Sequence, residues 1–341
     1  MKHLLIIVGL GIIGFLAYLA LAPAARTPSK VAPKNVSATQ TLAEYGQMCK
    51  AAIKDVPSFN CLDGELIPIT VNGLVPASYT PNMDCDRPAL LPLGEGGHTG
   101  ADGQCVPYSR IFNFSDGINQ VVAACRQKII RSEASTQFDE IDVITHSVAD
   151  GSTCWFQATG DGDAGLDGTK VPSPTEATPE PGYPAPADFW NSPAAVANEQ
   201  PVNCGFCHDN DPFMYSPYVA QVWDMVPTDP FGWYKHIGPD FAWWPTTSLS
   251  TRDNTCVGCH RIGITFTSGQ GAKEATGLVH IPNTDEWANT YPQTHWMPPG
   301  NFHSEAQWDT IYKQAVQDLL DCNEDPALPK CIVTEITGLP E

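Results

Sequence analysis

The chain has 341 residues, of which 38 are acidic and 18 are Lys or Arg, so its formal net charge is −20. A chain of this length predicts two domains with at least one well-buried core. So few basic residues argue against a surface that neutralises phosphates, and nucleic acid is not an expected partner. A protein partner with a positively charged docking face is expected instead, because opposite charges steer association.

An apolar segment stands near the N-terminus. Lys2 and His3 precede the apolar residues 4–21, and Ala-Pro-Ala-Ala follows at 22–25. Such a segment directs export, and it is also just long enough to span a bilayer. We therefore expect residues 1–25 to be a signal peptide or a membrane anchor, with cleavage slightly favoured. Either outcome makes the protein periplasmic or extracytoplasmic, secreted or anchored to the outer face of the cytoplasmic membrane.

The next part of the chain predicts a tether and a small domain. Residues 26–40 are rich in Pro, Ser, Lys and Ala and predict the tether, and residues 41–160 predict an α+β domain. Thr41 and Glu44 form a capping box that opens a helix, which Pro57 ends. The sequence predicts four further elements in this domain. These are a strand at Leu66–Val71, a turn at Asn72-Gly73, a second helix at residues 117–131, and a hairpin of residues 141–144 and 154–156 around Asp150-Gly151.

Residues 161–187 predict a linker, first rich in Gly and Asp and then in Pro. The acidic stretch that begins at Asp161 resembles a calcium loop. Its sixth position is Leu166 instead of Gly and its twelfth is Pro172 instead of Glu, so an acidic turn is the better interpretation. The linker separates the small domain from a second domain over residues 188–341.

Two Cys-x-x-Cys-His motifs lie in this second domain, at Cys204-Gly205-Phe206-Cys207-His208 and Cys256-Val257-Gly258-Cys259-His260. Two thiols three residues apart share one face of a helical turn and can add to the two vinyl groups of one porphyrin. The following His can then give the iron its fifth ligand. At these residues the last third of the chain resembles the c-type cytochromes, and specifically a di-haem one.

The resemblance implies two covalent haem c groups, bound through Cys204, Cys207, Cys256 and Cys259, with His208 and His260 as iron ligands. It also implies that residues 188–341 form a mostly α-helical, loop-rich, cytochrome c-like domain that ends in a helix near the haem. Ser304 and Gln307 form a capping box for this helix, and its apolar stripe is Trp308, Ile311, Tyr312, Ala315 and Leu319. The expected fold class is thus α+β, with a disulfide-stapled N-terminal domain.

The same four motif cysteines also fit a zinc ribbon of two Cys-x-x-Cys knuckles. A ribbon does not need a His after both knuckles, so the sequence favours haem. The other eight cysteines are even in number and predict disulfides in an oxidising compartment, although 105 pairings are open: Cys49, Cys61, Cys85, Cys105, Cys125, Cys154, Cys322 and Cys331.

The sixth iron ligands decide whether the haems only carry electrons or also bind a reactant. The resemblance implies Met297 for the second haem, because a Met followed by Pro usually supplies this ligand in cytochrome c domains. His295 is its rival, and Met297 could instead pack against the ring. For the first haem we favour His236 over Met225 and Met214, while His280 and His303 are further alternatives.

The leading functional hypothesis is an exported electron carrier with two haems. One alternative is an enzyme that resembles the di-haem peroxidases, in which one iron is open, although that family places its motifs much farther apart. The other is an N-terminal module that binds a ligand or a partner and uses the haems as its electron outlet. No catalytic residue is predicted, because no nucleophile motif occurs in residues 40–160.

Overall fold

A computed structural model describes residues 40–81, 83–87, 89, 102–198, 204–214, 218–227, 232–272 and 305–338. The predicted export segment, nearly all of the tether, and the ligand candidates His280, His295, Met297 and His303 lie outside these residues. Among the described residues, no helix is long and apolar enough to cross a membrane.

The largest element is a six-stranded sheet with the order β1-β2-β3-β5-β6-β8. Neighbouring strands are antiparallel, except that β8 runs parallel to β6. The six strands are β1 (Glu65–Leu66), β2 (Arg110–Asn113), β3 (Asn119–Arg126), β5 (Glu140–Ser147), β6 (Ser152–Thr159) and β8 (Lys235–His236). Two-stranded sheets pair β4 (Gln137–Phe138) with β7 (Leu166–Asp167), and β9 (Thr247–Thr251) with β10 (Cys331–Glu335).

Helix α1 (Leu42–Ala52) confirms the predicted capping box, since the Glu44 N–H donates to the Thr41 hydroxyl and the Thr41 N–H donates to the Glu44 carboxylate. The helix packs on the sheet through buried Tyr45 and Cys49. The Tyr45 hydroxyl oxygen accepts a hydrogen bond of 2.9 Å from the Trp155 N–H, and its ring stacks on Phe241 at 5.0 Å. This helix therefore fixes the part of β6 that contains Trp155.

The predicted hairpin is confirmed as β5 and β6, in which Ile144 pairs with Trp155. Gly151 between the strands has a φ of 79°, which favours glycine. A Cβ at this position would also collide with the backbone of Trp233 and Tyr234. The turn therefore packs closely against the backbone at residues 233–234.

The second predicted helix, near residues 117–131, is wrong, because this segment contains strand β3. Its central residues from Gln120 to Ala123 are all buried. A strand covered on both faces has no alternation of apolar and polar residues, so its apolar positions also matched a helical spacing. The strand predicted over Leu66–Val71 is shorter than expected and ends at Leu66.

The turn at Asn72-Gly73 is present, with φ values of 52° and 76°. Val71 and Leu74 exchange backbone hydrogen bonds across it. Asn and Gly tolerate positive φ better than other residues, which is why this pair signals a tight turn from sequence alone.

The expected fold class is also wrong, because the structure is mixed α/β and its C-terminal region is not mostly helical. Before the last helix, the described residues after 185 form only three short α-helices, α2 (Pro186–Phe189), α3 (Pro193–Asn198) and α4 (Cys204–Cys207), besides 3₁₀ turns, one π-helical turn (Thr267–Gly271) and strands. Prolines such as Pro212, Pro239 and Pro245 interrupt helix formation between the motifs. The terminal helix is confirmed as α5 (Glu305–Glu324); Ser304 lies outside the described residues.

The eight cysteines outside the motifs form four disulfides, as predicted. Three of them are nested in sequence: Cys49–Cys154 encloses Cys61–Cys125, which encloses Cys85–Cys105. The fourth, Cys322–Cys331, joins α5 to β10. Four disulfides indicate an oxidising environment outside the cytoplasm.

The main core contains residues from both sides of the predicted linker. Tyr45 and Trp155 belong to it, and so do Tyr234, Phe241 and Trp244. The linker residues themselves pack against this core, since Phe59 and Val171 exchange backbone hydrogen bonds and the Trp190 indole N–H donates to the Pro172 carbonyl. The described residues from Gln40 to Gly338 belong to one compact unit.

Candidate functional site

The first Cys-x-x-Cys-His motif forms the short helix α4 and the residue after it. The His208 N–H donates to the Cys204 carbonyl at 2.8 Å, which closes one helical turn around both cysteines. Gly205 is buried, and a Cβ at this position would collide with the indole of Trp244. The residue after the first cysteine can be of any type in a Cys-x-x-Cys-His motif. Glycine at this position lets the turn lie directly against the core.

The second motif forms a similar turn, in which the His260 N–H donates to the Cys256 carbonyl at 2.9 Å. The Asn254 side chain caps this turn by accepting from the Cys256 N–H at 3.0 Å. The same side chain donates to the Ala315 carbonyl of α5 at 2.9 Å. The terminal helix thus holds the second motif in place.

The motif cysteines are the cysteines that form no disulfide. All twelve cysteines are described, eight are in disulfides, and the other four are Cys204, Cys207, Cys256 and Cys259. Burial raises the pKa of the Cys204 thiol well above its usual value, and the nearby carboxylates of Asp142 and Glu140 add to this effect. Burial also raises the pKa of Cys256. These two thiols are therefore protonated at neutral pH.

The His208 imidazole lies against Trp155 of β6, with ring centroids 5.0 Å apart. Burial lowers the pKa of His208 to about 4, so the ring is neutral at pH 7, as an iron ligand must be. Its Nδ1 is buried and makes no hydrogen bond of good geometry within the described structure, although backbone groups of Asp211 and Pro212 lie close enough to raise the pKa slightly. Burial likewise lowers the pKa of His260.

His236, our candidate for the sixth ligand of the first haem, lies in β8 close to His208. Its Nδ1 accepts a hydrogen bond from the Trp155 indole at 3.1 Å, and its Nε2 lies 3.1 Å from the Pro245 carbonyl. Both ring nitrogens are therefore engaged, with the proton on Nε2. Iron ligation by His236 would require at least one of these hydrogen bonds to break, so the role stays a prediction. Of its rivals, Met225 packs against a second apolar cluster around Tyr218.

A buried carboxylate joins the two motifs. Asp209 directly follows His208 and is fully buried. It accepts hydrogen bonds from the backbone N–H and hydroxyl of Thr265, at 2.8 and 2.9 Å, and from the hydroxyl of Thr267 at 2.9 Å. Both threonines lie a few residues after His260, and Gly263 gives the carboxylate room. Burial raises the pKa of Asp209, and these hydrogen bonds oppose the rise.

Arg261, which directly follows His260, connects the second motif to residues near the first. Its guanidinium forms an ion pair of 2.8 Å with Asp211, donates to the Gly232 carbonyl and lies 6.0 Å from the centre of the Tyr234 ring. The Tyr234 hydroxyl in turn donates to the His208 carbonyl at 2.6 Å. We call Asp209, Asp211, Tyr234, Arg261, Thr265 and Thr267 the inter-motif clasp.

Sequence reasoning missed the clasp, although one signal for it exists. Each motif is followed immediately by a charged residue, Asp209 after His208 and Arg261 after His260, and these charges are opposite in sign. A charged residue at the same offset from both motifs suggests a shared structural role. The partners Tyr234 and Thr265 carry no comparable local signal, because they are defined only by tertiary contact.

The residues of each motif fit a covalently attached haem. Each turn presents two cysteines outside disulfides and a His with a lowered pKa. A zinc ribbon would need the four motif cysteines around one ion, but the described residues, which include all four, gather no group of three or more metal-ligating side chains. No protein-family profile, curated protein or solved structure matches this chain.

Proposed function

We propose that this protein is an extracytoplasmic di-haem c-type cytochrome that transfers electrons. The observation that carries the proposal is the state of the cysteines. Eight cysteines of the chain form disulfides, and the four outside disulfides are those of two Cys-x-x-Cys-His motifs, folded into the same closing turn. Cysteines outside disulfides in an oxidising compartment are explained if thioether bonds consume their thiols.

The thiol chemistry supports haem attachment over a catalytic redox dithiol, another common role of Cys-x-x-Cys. Such a dithiol acts as a thiolate, and its site lowers the thiol pKa. Burial raises the pKa of Cys204 and Cys256 instead. The His after each motif has no function in a redox dithiol, whereas it is the expected axial ligand of a haem.

The chain's own residues would hold each haem and set its surroundings. Cys204 and Cys207 would attach one haem with His208 as ligand, and Cys256, Cys259 and His260 would do the same for the other. Bound haem iron supplies one-electron chemistry. The inter-motif clasp fixes the two attachment turns relative to each other, which a carrier of electrons between two centres requires.

The charge of the chain supports a cationic redox partner in the periplasm or at the outer face of the cytoplasmic membrane. The net charge of −20 would attract a protein with a positive docking face, and this attraction would weaken as salt rises. The association rate with such a partner is therefore expected to fall with ionic strength.

The test is to express the full chain in a bacterium that exports it and matures c-type haems. The purified protein should have a mass greater than that of the polypeptide by two haems, which acid-acetone should not extract. Cys204→Ala with Cys207→Ala should remove one haem, and Cys256→Ala with Cys259→Ala the other. Bound zinc without haem would refute the proposal. Binding of carbon monoxide to the ferrous protein would indicate an open iron and favour the peroxidase-like enzyme.

A further inference from the structure

A row of aromatic rings leads from the protein surface to the first motif. The rings of Trp243 and Trp244 have centroids 6.5 Å apart, those of Trp244 and Trp155 are 5.4 Å apart, and Trp155 lies 5.0 Å from His208. Trp244 and Trp155 are 3% and 2% exposed, whereas Trp243 is 47% exposed. One end of the row is therefore open to solvent and the other contacts the expected iron ligand.

The buried part of the row is held in a fixed arrangement. The Trp244 indole N–H donates to the Ala197 carbonyl at 3.1 Å, and the Trp155 indole N–H donates to His236. The Trp244 ring also rests on Gly205 inside the first motif. The row thus contacts the first motif at two residues, Gly205 and His208.

Packing alone explains the two buried indoles but not the exposed one. Trp155 and Trp244 belong to the main core. Trp243 leaves nearly half of its surface in water, so its position does little for the core. An exposed indole at the end of a continuous aromatic row is, in contrast, suited to contact an electron donor.

We propose that Trp243, Trp244 and Trp155 form an electron port, through which a cationic one-electron donor reduces the haem held by His208. This inference rests on the proposed function. The donor loses one electron at Trp243 and ferric iron gains it, while no bond is made or broken and no proton moves. The net charge of −20 favours association with a cationic donor over an anionic one.

The test measures reduction of the full-length, haem-loaded protein by hexaammineruthenium(II), which is oxidised to ruthenium(III). Stopped-flow absorbance gives the rate, and the phase of the first haem is the one that Cys204→Ala with Cys207→Ala removes. Trp243→Leu should slow this phase severalfold, while Trp243→Tyr, which keeps an aromatic ring, should retain most of the rate. The matched control is Trp233→Leu, because Trp233 is also exposed, at 38%, but does not belong to the row.

Midpoint potentials measured by spectroelectrochemistry separate an altered path from an altered driving force, and they should be equal in the wild type and in Trp243→Leu. If Trp243→Leu leaves the reduction rate of the first haem unchanged in haem-loaded protein, the electron port alone is overturned. The same follows if Trp233→Leu slows this rate as much as Trp243→Leu does. A shifted potential that accounts for the slower rate would overturn it as well. Protein that carries no haem would overturn the proposed function together with the port.

Discussion

The two motifs adopt the same closing turn in different surroundings. The first is built into the main core, with Gly205 against Trp244 and His208 against Trp155. The second lies at the periphery: Cys259 is exposed, and a Cβ on Gly258 would meet nothing within 4 Å among the described residues. Identical local sequence patterns therefore lead to a deeply buried site in one case and, among the described residues, a more exposed one in the other.

The difference arises from what each motif packs against. The first depends on the six-stranded sheet and α1, whose residues mostly precede it in the chain. The second depends on β9, α5 and the Cys322–Cys331 disulfide, which all lie after residue 246. The motif determines the turn, and the neighbouring elements determine how strongly that turn is held. Variants that affect one set of neighbours and spare the other test this comparison.

The largest expected effect is removal of the Cys49–Cys154 disulfide by a double change to Ala. The bond closes a sequence separation of 105 residues and adjoins Trp155, so its loss should cost about 4 kcal/mol of unfolding free energy and loosen the first motif. Removing Cys322–Cys331, with a separation of 9, should cost about 2–3 kcal/mol and loosen only the second motif. Urea unfolding gives the energies. Equal damage to both motifs in both variants would show that the two surroundings are not separate.

Breaking the inter-motif clasp should come next. Arg261→Met leaves the Asp211 carboxylate, whose side chain is only 18% exposed, without its ion pair, at an expected cost of about 3 kcal/mol. The control is Lys313→Met, which removes an exposed ion pair with Asp309 and should cost less than about 1 kcal/mol. In Arg261→Met, thermal unfolding should also separate into two transitions. A single transition at an unchanged temperature would contradict the role of the clasp.

The third prediction concerns pH and the surroundings of the first motif. Burial lowers the pKa of His236 to about 4, so the folded protein keeps this ring neutral where the unfolded chain, with a pKa near 6.5, binds a proton. Stability should therefore fall as pH drops from about 6.5 to 4, by on the order of 3 kcal/mol from this residue.

In haem-free protein, His236→Gln should flatten this acid loss, because an amide can keep both hydrogen bonds and does not titrate. The variant and the wild type should differ by a constant amount above pH 7, and the difference should shift in favour of the variant at lower pH. Unfolding free energies measured across this range provide the check. Parallel curves down to pH 4 would show that His236 does not contribute.

The smallest expected effect uses the matched glycines of the two motifs. Gly205→Ala would force a methyl group into the Trp244 indole and should cost about 1–3 kcal/mol. Gly258→Ala should stay within about 0.5 kcal/mol, since its side chain would point into open space. Differential scanning calorimetry of both variants measures the contrast. A larger loss of stability in Gly258→Ala than in Gly205→Ala would contradict the deeper burial of the first motif.

Features encoded by neighbouring residues were predictable from the sequence. The capping box of Thr41 and Glu44, the turn at Asn72-Gly73 and the hairpin around Gly151 each depend on short-range geometry, and each is present. Strand β3 was mistaken for a helix because burial on both faces removed the alternation that identifies a strand.

The clasp and the aromatic row were beyond prediction for a different reason. Asp209 and Thr265 are more than fifty residues apart, and nothing in either segment specifies the other. The same holds for Trp155 and His208, which meet only because β6 and the first motif pack into one core. The mostly helical C-terminal region was inferred from resemblance alone, and the prolines between the motifs argue against it.

The nesting of the three N-terminal disulfides has a consequence for how the protein is made. Because the N-terminal part of a chain emerges first during synthesis, the six cysteines from Cys49 to Cys154 precede Cys204 into the oxidising compartment. Each of the three disulfides can form before any residue after Cys154 has emerged. Every earlier thiol can therefore pair before the first motif emerges, so the order of residues along the chain disfavours mispairing of the motif thiols.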